Sequence, residues 1–415
     1  MHEFKYLNGE MHCEDVPLSR IAEEVGTPAY IYSRGTILAH YGRLVEAFAD
    51  LPHMICYSIK ANSNLAVLST LAQEGAGADI VSGGELYRAM KAGIPSYKIV
   101  FAGIGKTETE MAFALQSGVL MFNVESLTEL SILDRVAGEM GKKADIALRV
   151  NPDVDPETHP YIATGLREAK FGIGIEDALA VYESATSLPN INVVGVHQHI
   201  GSQITQVDPF RESLALLGKL VKKLQGNGID IRYINIGGGF GIPYKHEDVP
   251  YPRDYAQALE PILKESGCTV ILEIGRMIVG NAGVLLTKVL YHKRTGDKDF
   301  LVVDAAMNDL LRPSLYGSFH EILPVQRLDR EKETVDVVGP VCESGDFLAK
   351  GRELPHSEPG ELLAVMSAGA YAFAMSSNYN SRRRAPEVMV DGSEVSIVRE
   401  RESYEDLVRG EHMWK

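Results

Sequence analysis

Short apolar runs alternate with amphipathic segments through the first two thirds of the chain. Eight runs have the length of strands, at 54–60, 78–82, 99–102, 119–123, 145–150, 193–200, 233–236 and 269–273. Apolar residues recur at helical spacing in the segments 35–50, 65–74, 85–92, 125–138, 177–187 and 210–225. Strand alternating with helix predicts a parallel sheet with right-handed crossovers, and eight such strands predict closure into a (β/α)8 barrel of the TIM type.

The pattern changes after about residue 282, where the apolar runs are typical of antiparallel strands. These runs lie at 284–291, 300–304, 333–338, 361–367, 387–390 and 395–399. Asp391-Gly392 between the last two is a hairpin-turn signal. We therefore expect an α/β chain with a barrel domain at 30–280 and an antiparallel β domain at 281–415, which also takes in residues 1–29.

Polar residues cluster at the C-terminal ends of the eight predicted barrel strands. The residues at the ends of these runs, or within a few positions after them, are Lys60, Asp79, Ser82, Gly103, Asn123, Glu125, Arg149, Asn151, His199, Gly237, Glu273 and Arg276. In (β/α)8 barrels the active site lies at this end of the strands. The pattern predicts an active site there, although the beginnings of loops are polar in most proteins.

Lys60 follows the buried run Cys56-Tyr57-Ser58-Ile59 and comes before small and polar residues. A lysine at the end of a buried strand is partly desolvated, which lowers the pKa of its amine and makes the amine a nucleophile toward carbonyls. This is the chemistry of a Schiff-base lysine. A lysine that extends its ammonium group to solvent from a strand end is the alternative.

Consecutive glycines, Gly237-Gly238-Gly239, follow the seventh strand, and Gly275-Arg276 follow the eighth. Glycines let backbone N–H groups approach an anion, and the loops after strands seven and eight often bind phosphate in such barrels. A tight turn from strand to helix also requires glycine. The loops predict a phosphate site, with the tight turn as the alternative.

Glu273 and His199 are predicted to face the same end of the barrel. The Glu273 carboxylate could pair with a protonated ring nitrogen of a ligand, or with a nearby arginine such as Arg276. His199 shares one strand face with His197 and precedes the small residues Gly201 and Ser202, which suit a ligand. A structural role for this histidine is the alternative.

In the predicted β domain, a turn-rich loop contains Cys342, Glu343 and Asp346. The loop has no clustered histidines or cysteines, so we predict no metal site; an incidental cysteine in a polar loop is an alternative to a functional thiol. Arg312 and Tyr316 flank a probable turn, and Tyr371 either reaches a ligand or packs. The run 382–384 is typical of a solvated basic surface.

The composition is that of a globular protein of two domains. The chain has 415 residues, 45% of them hydrophobic and 23% charged, and a formal net charge of -15. This charge argues against partners such as nucleic acid or anionic membranes. The N-terminus lacks the pattern of a signal peptide and no run is long enough to span a membrane, so we expect a cytoplasmic protein. Four scattered cysteines predict no disulfide framework.

Together these motifs resemble the diaminopimelate decarboxylases, members of the alanine-racemase-like, fold-type III decarboxylases that use pyridoxal 5'-phosphate (PLP). The matching segments are 57–62, 197–203, 237–241, 339–344 and 378–382, in this order over nearly the whole chain. The resemblance implies a homodimer with active sites at the subunit interface. It also implies decarboxylation of meso-2,6-diaminopimelate to L-lysine, the last step of lysine biosynthesis.

The resemblance also assigns roles to residues. It implies that Lys60 binds PLP covalently, that His199 stacks on the cofactor ring and that Glu273 pairs with the pyridine nitrogen. The cofactor-binding residues that the resemblance implies are Lys60, Asp79, His199, Ser202, Gly238, Gly239, Glu273, Gly275, Arg276 and Tyr371. The substrate-binding residues that it implies are Arg276, Arg312, Tyr316, Glu343 and Tyr371. It further implies that Lys60, His199 and Cys342 are catalytic and that Cys342 and Glu343 come from the neighbouring subunit.

Two other functions stay open. One is a sister decarboxylase that acts on carboxynorspermidine, ornithine, lysine or a carrier-bound glutamyl group, and the other is a PLP-binding regulator without catalysis. Arg276 and Arg312 favour diaminopimelate, because they match a second carboxylate that ornithine lacks. One departure from the family is Ile274, where proline usually stands before Gly275-Arg276; its loss relaxes the turn and removes no side-chain chemistry.

Overall fold

The computed structural model describes residues 2–155, 164–165, 170–245, 247–327 and 329–415. Two compact units make up the chain. The first, the β unit, comprises Met1–Ala39, Pro243–Glu247 and Ile278–Lys415. The second, the barrel unit, comprises His40–Ile242 and Asp248–Met277.

The opening segment forms a small sheet of its own. Its elements are β1 (Phe4–Leu7), β2 (Glu10–Cys13), β3 (Val16–Pro17), α1 (Leu18–Val25), β4 (Ala29–Ser33) and α2 (Arg34–Ala47). The first three strands pair antiparallel in the order β1-β2-β3. The strand β4 joins the main sheet of the β unit described below.

Eight parallel strands close into a ring in the barrel unit, which confirms the predicted (β/α)8 fold. The strands of this unit are β5 (His53–Ser58), β6 (Gly77–Ile80), β7 (Ile99–Phe101), β8 (Met121–Val124), β9 (Ala144–Asn151), β10 (Ile173–Gly174), β11 (Ile191–His197), β12 (Tyr233–Asn235) and β13 (Thr269–Ile274). Pairing runs from β9 through β11, β12, β13, β5, β6 and β7 to β8, and the β8–β9 pair closes the ring. The short β10 only extends β9.

Helices connect these strands. They are α3 (Leu65–Gln73), α4 (Gly83–Lys91), α5 (Glu108–Ser117), α6 (Leu127–Glu139), α7 (Ile175–Thr186), α8 (Asp208–Gly226), α9 (Pro252–Ser266) and the short α10 (Arg276–Val279). Side chains of Asn64, Ser82, Thr107 and Ser126 cap four of them by accepting a backbone N–H. Ser82, one of the polar strand-end residues, therefore has a structural role at the start of α4.

The β unit contains a nine-stranded sheet. Its elements after the barrel are β14 (Gly283–Thr295), β15 (Lys298–Val303), α11 (Arg312–Tyr316), β16 (Ile322–Pro324), β17 (Lys332–Val338), β18 (Phe347–Pro355), β19 (Leu362–Val365), β20 (Glu387–Asp391), β21 (Glu394–Arg399) and α12 (Tyr404–Leu407). The strand order is β18-β17-β15-β14-β4-β20-β21, with β19 and β16 paired beside β14. Most neighbours are antiparallel, as predicted, but β15–β17 and β4–β20 are parallel.

Each unit has its own apolar core. In the β unit, Phe4 and Met11 of the small sheet pack in one cluster with Ile31, Val284 and Val388 of the main sheet. The barrel interior contains a layer to which six strands contribute one buried residue each: Cys56, Val100, Met121, Ala147, Val194 and Ile271. Within the described part of the chain, every helix is too short or too polar to cross a membrane.

Candidate active site

Lys60 lies in a turn beyond the first barrel strand. The strand was expected to extend to Lys60, but β5 ends at Ser58 and Lys60 belongs to the 3-10 turn Ile59–Ala61. Its Nζ lies 2.7 Å from Oδ2 of Asp79, and its side chain is 37% exposed whereas Asp79 is fully buried. The amine is thus an ion-paired group at the barrel end, held by a carboxylate rather than by apolar surroundings.

Asp79 connects the ends of the first two barrel strands. Ser58 Oγ lies 2.7 Å from the same Oδ2 that accepts from Lys60. The other oxygen, Oδ1, is buried without a hydrogen-bond partner among the described residues. Burial, and after it the charge of Glu273, raises the pKa of Asp79, while Lys60 lowers it. Lys60 is therefore the counter-ion that favours the charged form of this carboxyl group.

Glu273 is fixed by three polar side chains from other strands. Its Oε1 accepts hydrogen bonds of 2.7 Å from both Asn123 and Asn235, and its Oε2 lies 3.3 Å from Nε2 of His197. Burial acts to raise the pKa of Glu273, but His197 and Lys60 outweigh it and the pKa lies well below the ordinary value. The buried group is a carboxylate anion, so it is suited to a cationic N–H of a ligand.

His199 lies two residues beyond β11, which ends at His197 rather than continuing to residue 200 as predicted. Its Nδ1 accepts a hydrogen bond of 3.1 Å from the backbone N–H of Gly238. Burial, and after it the positive charges of Arg149 and Lys60, holds the pKa of His199 well below its usual range. The ring is therefore neutral at pH 7, with its proton on Nε2.

Arg149 and Glu125, two other strand-end residues, form a buried ion pair of 2.9 Å. Arg149 also donates to the carbonyl oxygen of His199 at 3.2 Å, and Thr164 donates to the same oxygen at 2.9 Å. These contacts hold the backbone of the His199 loop. Their role at the site is to position this histidine.

The glycines at 237–239 are required by the packing of neighbouring loops. A Cβ on Gly238 would lie 1.9 Å from the carbonyl oxygen of Glu273, and a Cβ on Gly239 would lie 2.3 Å from that of Gly201. Gly239 also has a φ of 108°, which L side chains rarely adopt. The tight-turn interpretation of this run therefore holds.

Arg276 and Ser202 join the loops after the sixth and eighth strands. Nη2 of Arg276 donates to Oγ of Ser202 at 3.0 Å. The sequence left open a pairing of Arg276 with Glu273, but the partners found for Glu273 are the two asparagines and His197. A Cβ on Gly275 would lie 2.9 Å from that of Ala61, so this loop also packs closely.

In the β unit, Arg312 begins α11 and is buried. Its Nη1 lies 2.8 Å from Nε2 of His320, and its guanidinium lies 4.7 Å from the centre of the Tyr244 ring. Nδ1 of His320 lies 2.8 Å from the carbonyl oxygen of Met366. Because a carbonyl only accepts, Nδ1 carries the proton and Nε2 accepts from Arg312.

Cys342 and Glu343 lie on an exposed loop of the β unit. The loop is braced by Asp346, whose carboxylate accepts from the backbone N–H of Val341 at 2.7 Å. The backbone N–H of Cys342 donates to Oδ1 of Asn380 at 2.8 Å. The matching segment 378–382 is therefore a support for this loop.

Tyr316 and Tyr371 are both partly exposed. Tyr316 is the last residue of α11, four positions after Arg312, and Ser314 of the same helix donates to the carbonyl oxygen of Gly345 in the cysteine loop. Tyr371 follows β19 and has a φ of 58°. This unusual backbone conformation in a non-glycine residue is frequent at functional sites.

The sequence did not predict the residues that hydrogen-bond to the site residues Glu273 and Arg312 and hold them in place. Asn235 lies within a predicted strand and Asn123 was noted only as polar, yet both donate hydrogen bonds to Glu273. The alternation that placed His197 and His199 on one strand face was the available signal for His197. His320 had no local signal, because its contact with Arg312 depends on the path of the chain between them.

The barrel residues fit PLP. An amine at a strand end, an anionic carboxylate, a neutral imidazole and glycine loops beside an arginine match the aldehyde, the pyridine nitrogen, the ring and the phosphate of this cofactor. The buried Oδ1 of Asp79 and Nδ1 of His197 have no hydrogen-bond partner among the described residues. These orphaned polar atoms are compatible with a site built for a polar ligand.

The chain belongs to the pyridoxal-dependent decarboxylases, since residues 34–280 match the family model described as their pyridoxal binding domain. It is 53% identical over 413 residues to diaminopimelate decarboxylase of Pseudomonas aeruginosa, covering 100% of this chain and 99% of the relative. The enzyme of the same name from Aquifex aeolicus is 52% identical over 405 residues, covering 97% and 96%. A crystal structure of diaminopimelate decarboxylase from M. jannaschii with L-lysine superposes with a TM-score of 0.94, at 39% identity and coverages of 100% and 99%.

Proposed function

We propose that this protein uses PLP to decarboxylate meso-2,6-diaminopimelate to L-lysine and carbon dioxide, the last step of lysine biosynthesis. The observation that carries the proposal is the arrangement of Glu273 and Lys60 in a barrel of the pyridoxal-binding family. Full-length relatives named diaminopimelate decarboxylase support the choice of substrate. When bound, PLP supplies the electron sink that makes loss of a carboxylate possible.

Lys60, with Asp79 as its counter-ion, is the residue that binds the cofactor aldehyde. Glu273 would hold a proton on the pyridine nitrogen, because two amide donors and His197 favour the carboxylate over the acid. His199 would contact the cofactor ring with its neutral imidazole. A neutral ring suits this position, since a second cation beside the protonated pyridine would be repelled.

The phosphate is bound by Ser202, Gly238, Gly239, Gly275, Arg276 and Tyr371. Arg276 and Ser202 are already hydrogen-bonded to each other, so the hydroxyl and the guanidinium are oriented before an anion binds. Backbone N–H groups in the glycine loop suit phosphate because no side chain blocks their approach.

Arg312 and Tyr316 bind the distal carboxylate of the substrate, together with Arg276, and Glu343 and Tyr371 contact the rest of it. His320 is the positioning residue for Arg312, since it occupies one guanidinium nitrogen and fixes the plane of the group. A charge-assisted hydrogen bond contributes about 1.5 to 3 kcal/mol. A buried guanidinium without its carboxylate therefore disfavours lysine and ornithine as substrates.

Cys342 would hold the proton that is delivered to the substrate. Its thiol is exposed in the single chain. A thiol that exchanges protons with bulk water gives poor control of that step, so we infer that Cys342 and Glu343 act in the site of a second copy in a homodimer. We also propose a cytoplasmic location and a barrel domain bounded by residues 30 and 280.

The test is product formation by the PLP-loaded protein. Carbon dioxide release from meso-diaminopimelate is measured beside L-lysine, L-ornithine and carboxynorspermidine, and lysine is identified as the product. Turnover of diaminopimelate alone supports the proposal. Turnover of only another amine would replace the substrate, and bound cofactor without any turnover would favour a regulatory protein.

A further inference from the structure

Three side chains with metal-binding atoms converge in the β unit. They are His292 of β14, Glu333 of β17 and His356, the residue after β18. One ligand atom of each lies within 4.8 Å of those of the other two. The residues are far apart in the sequence, so neither spacing nor a motif predicted this cluster.

The distances suit a small cation. Oε1 of Glu333 lies 3.2 Å from Nδ1 of His356 and 3.8 Å from Nδ1 of His292. In a tetrahedral zinc site with bonds near 2.0–2.1 Å, the ligand atoms are about 3.4 Å apart. The same Oε1 is shielded from solvent and makes no well-aligned hydrogen bond with the described residues. This shielded carboxylate oxygen lies beside two imidazole nitrogens.

The other nitrogen of each histidine faces an acceptor. Nε2 of His292 lies 2.6 Å from the carbonyl oxygen of Ser357, so Nε2 carries the proton and Nδ1 has a free lone pair. Nε2 of His356 lies 3.4 Å from Oε1 of Glu358. Histidines that bind metals usually donate their second N–H to a carbonyl or carboxylate in this way.

The backbone around the cluster is well anchored. The N–H of His356 donates to the carbonyl of Glu331 at 3.0 Å, and Nη1 of Arg330 donates to the carbonyl of His356 at 3.0 Å. Arg330 is itself paired with Glu361 through both terminal nitrogens. Its positive charge is thus compensated, and it does not cancel the attraction of Glu333 for a cation.

One adjustment is needed for binding. The two imidazole rings are nearly parallel, 18° apart with centroids separated by 4.7 Å, and an ion must lie close to the plane of each ring. Coordination of one ion by both rings would require rotation of one ring about its Cβ–Cγ bond. His356 is 43% exposed, which leaves space for that rotation.

We propose that His292, Glu333 and His356 bind a divalent transition-metal ion of the zinc class, with water as the fourth ligand. Two imidazoles and one carboxylate are a common zinc ligand set. The ion would connect β14, β17 and the end of β18, and would therefore stabilise the β unit. The proposal does not depend on the decarboxylase activity.

The experiment is calorimetric titration of zinc chloride into the untagged PLP-loaded protein after dialysis against a chelator. One zinc ion per chain and a higher unfolding temperature with zinc are expected. His292→Gln, Glu333→Gln and His356→Gln should each weaken binding by about 10-fold or more, because each removes one ligand. All three residues are partly exposed, so the variants should keep their fold and cofactor content.

Two variants serve as controls. His412→Gln removes an exposed histidine near the C-terminus and should leave zinc binding unchanged. Cys342→Ala tests whether the exposed thiol is the ligand, and it should also leave binding unchanged. Absence of zinc binding, or zinc binding that only Cys342→Ala abolishes, would overturn the proposal and leave the cluster as a hydrogen-bonded group.

Discussion

The barrel unit and the β unit hold their candidate functional residues in different ways. In the barrel, Lys60 donates to the carboxylate of Asp79. The hydroxyl of Ser58 lies within hydrogen-bond distance of the same carboxylate and of the backbone carbonyl oxygen of Glu273, so the three residues form one network. In the β unit, Cys342 and Glu343 lie on an exposed loop. We propose that the cofactor residues are preorganised within one chain, whereas the loop acts in contact with another surface.

The largest effect is expected for Lys60→Ala, which removes the amine proposed to bind the cofactor. Turnover of diaminopimelate should fall by about 1,000-fold or more, and the visible absorbance of bound PLP should disappear. Lys219→Ala, on the exposed face of α8, is the control. An unchanged spectrum in Lys60→Ala would show that Lys60 does not bind the cofactor aldehyde.

Cys342→Ala tests the exposed loop. The variant lacks a proton donor but keeps the charges of the site, so kcat should fall by about 100-fold or more while KM stays near that of the wild type. Cys342→Ser, which keeps a weaker acid, should retain more activity than the alanine variant. A wild-type rate for Cys342→Ala would mean that the loop contributes no chemistry.

Glu273→Gln replaces the anion of the network with a neutral amide of the same size. The protonated pyridine loses its counter-charge, and kcat should fall by about 100-fold, with a shift in the absorbance of bound PLP. The matched control is Glu265→Gln on the exposed end of α9. An unchanged spectrum would contradict the proposed pairing, whereas loss of bound cofactor would indicate misfolding.

His320→Ala tests the buried arginine of the β unit. Arg312 keeps its charge but loses the acceptor that orients it, so KM for diaminopimelate should rise by about 10-fold with a smaller change in kcat. His320→Gln, whose amide oxygen can accept from Arg312, should restore part of the affinity. A loss of kcat of about 10-fold with an unchanged KM would contradict a positioning role of His320 in substrate binding.

The smallest effect concerns pH. His199 has a lowered pKa in the folded protein, so the unfolded chain binds its proton first as pH falls below the ordinary value near 6.5. Its contribution to stability is present above that pH and is lost on acidification. The free energy of unfolding should therefore depend less on pH, between pH 5 and 8, in His199→Gln than in the wild type. Equal pH dependence in both proteins would contradict a buried neutral ring.

The sequence predicted the barrel well because the spacing of apolar residues within each segment, and the alternation of strands with helices, can be read directly along the chain. Alternation of eight apolar runs with amphipathic segments identified all eight strands to within a few residues. The strand β18 was missed, because Lys350-Gly351-Arg352 interrupts its pattern, and α5 and α9 were also missed. The joining of β4 to the main β sheet had no signal, since pairing partners are not encoded in a strand's own periodicity.

What the sequence alone determined was the set of chemical groups at the strand ends and the family that they resemble. Only the tertiary structure decided their partners: Asn123, Asn235 and His197 around Glu273, His320 beside Arg312, and the cluster of His292, Glu333 and His356. The physical reason is that hydrogen bonds and ion pairs act over a few ångströms. These partners, separated by 8 to 150 positions in the sequence, meet only after the chain has folded.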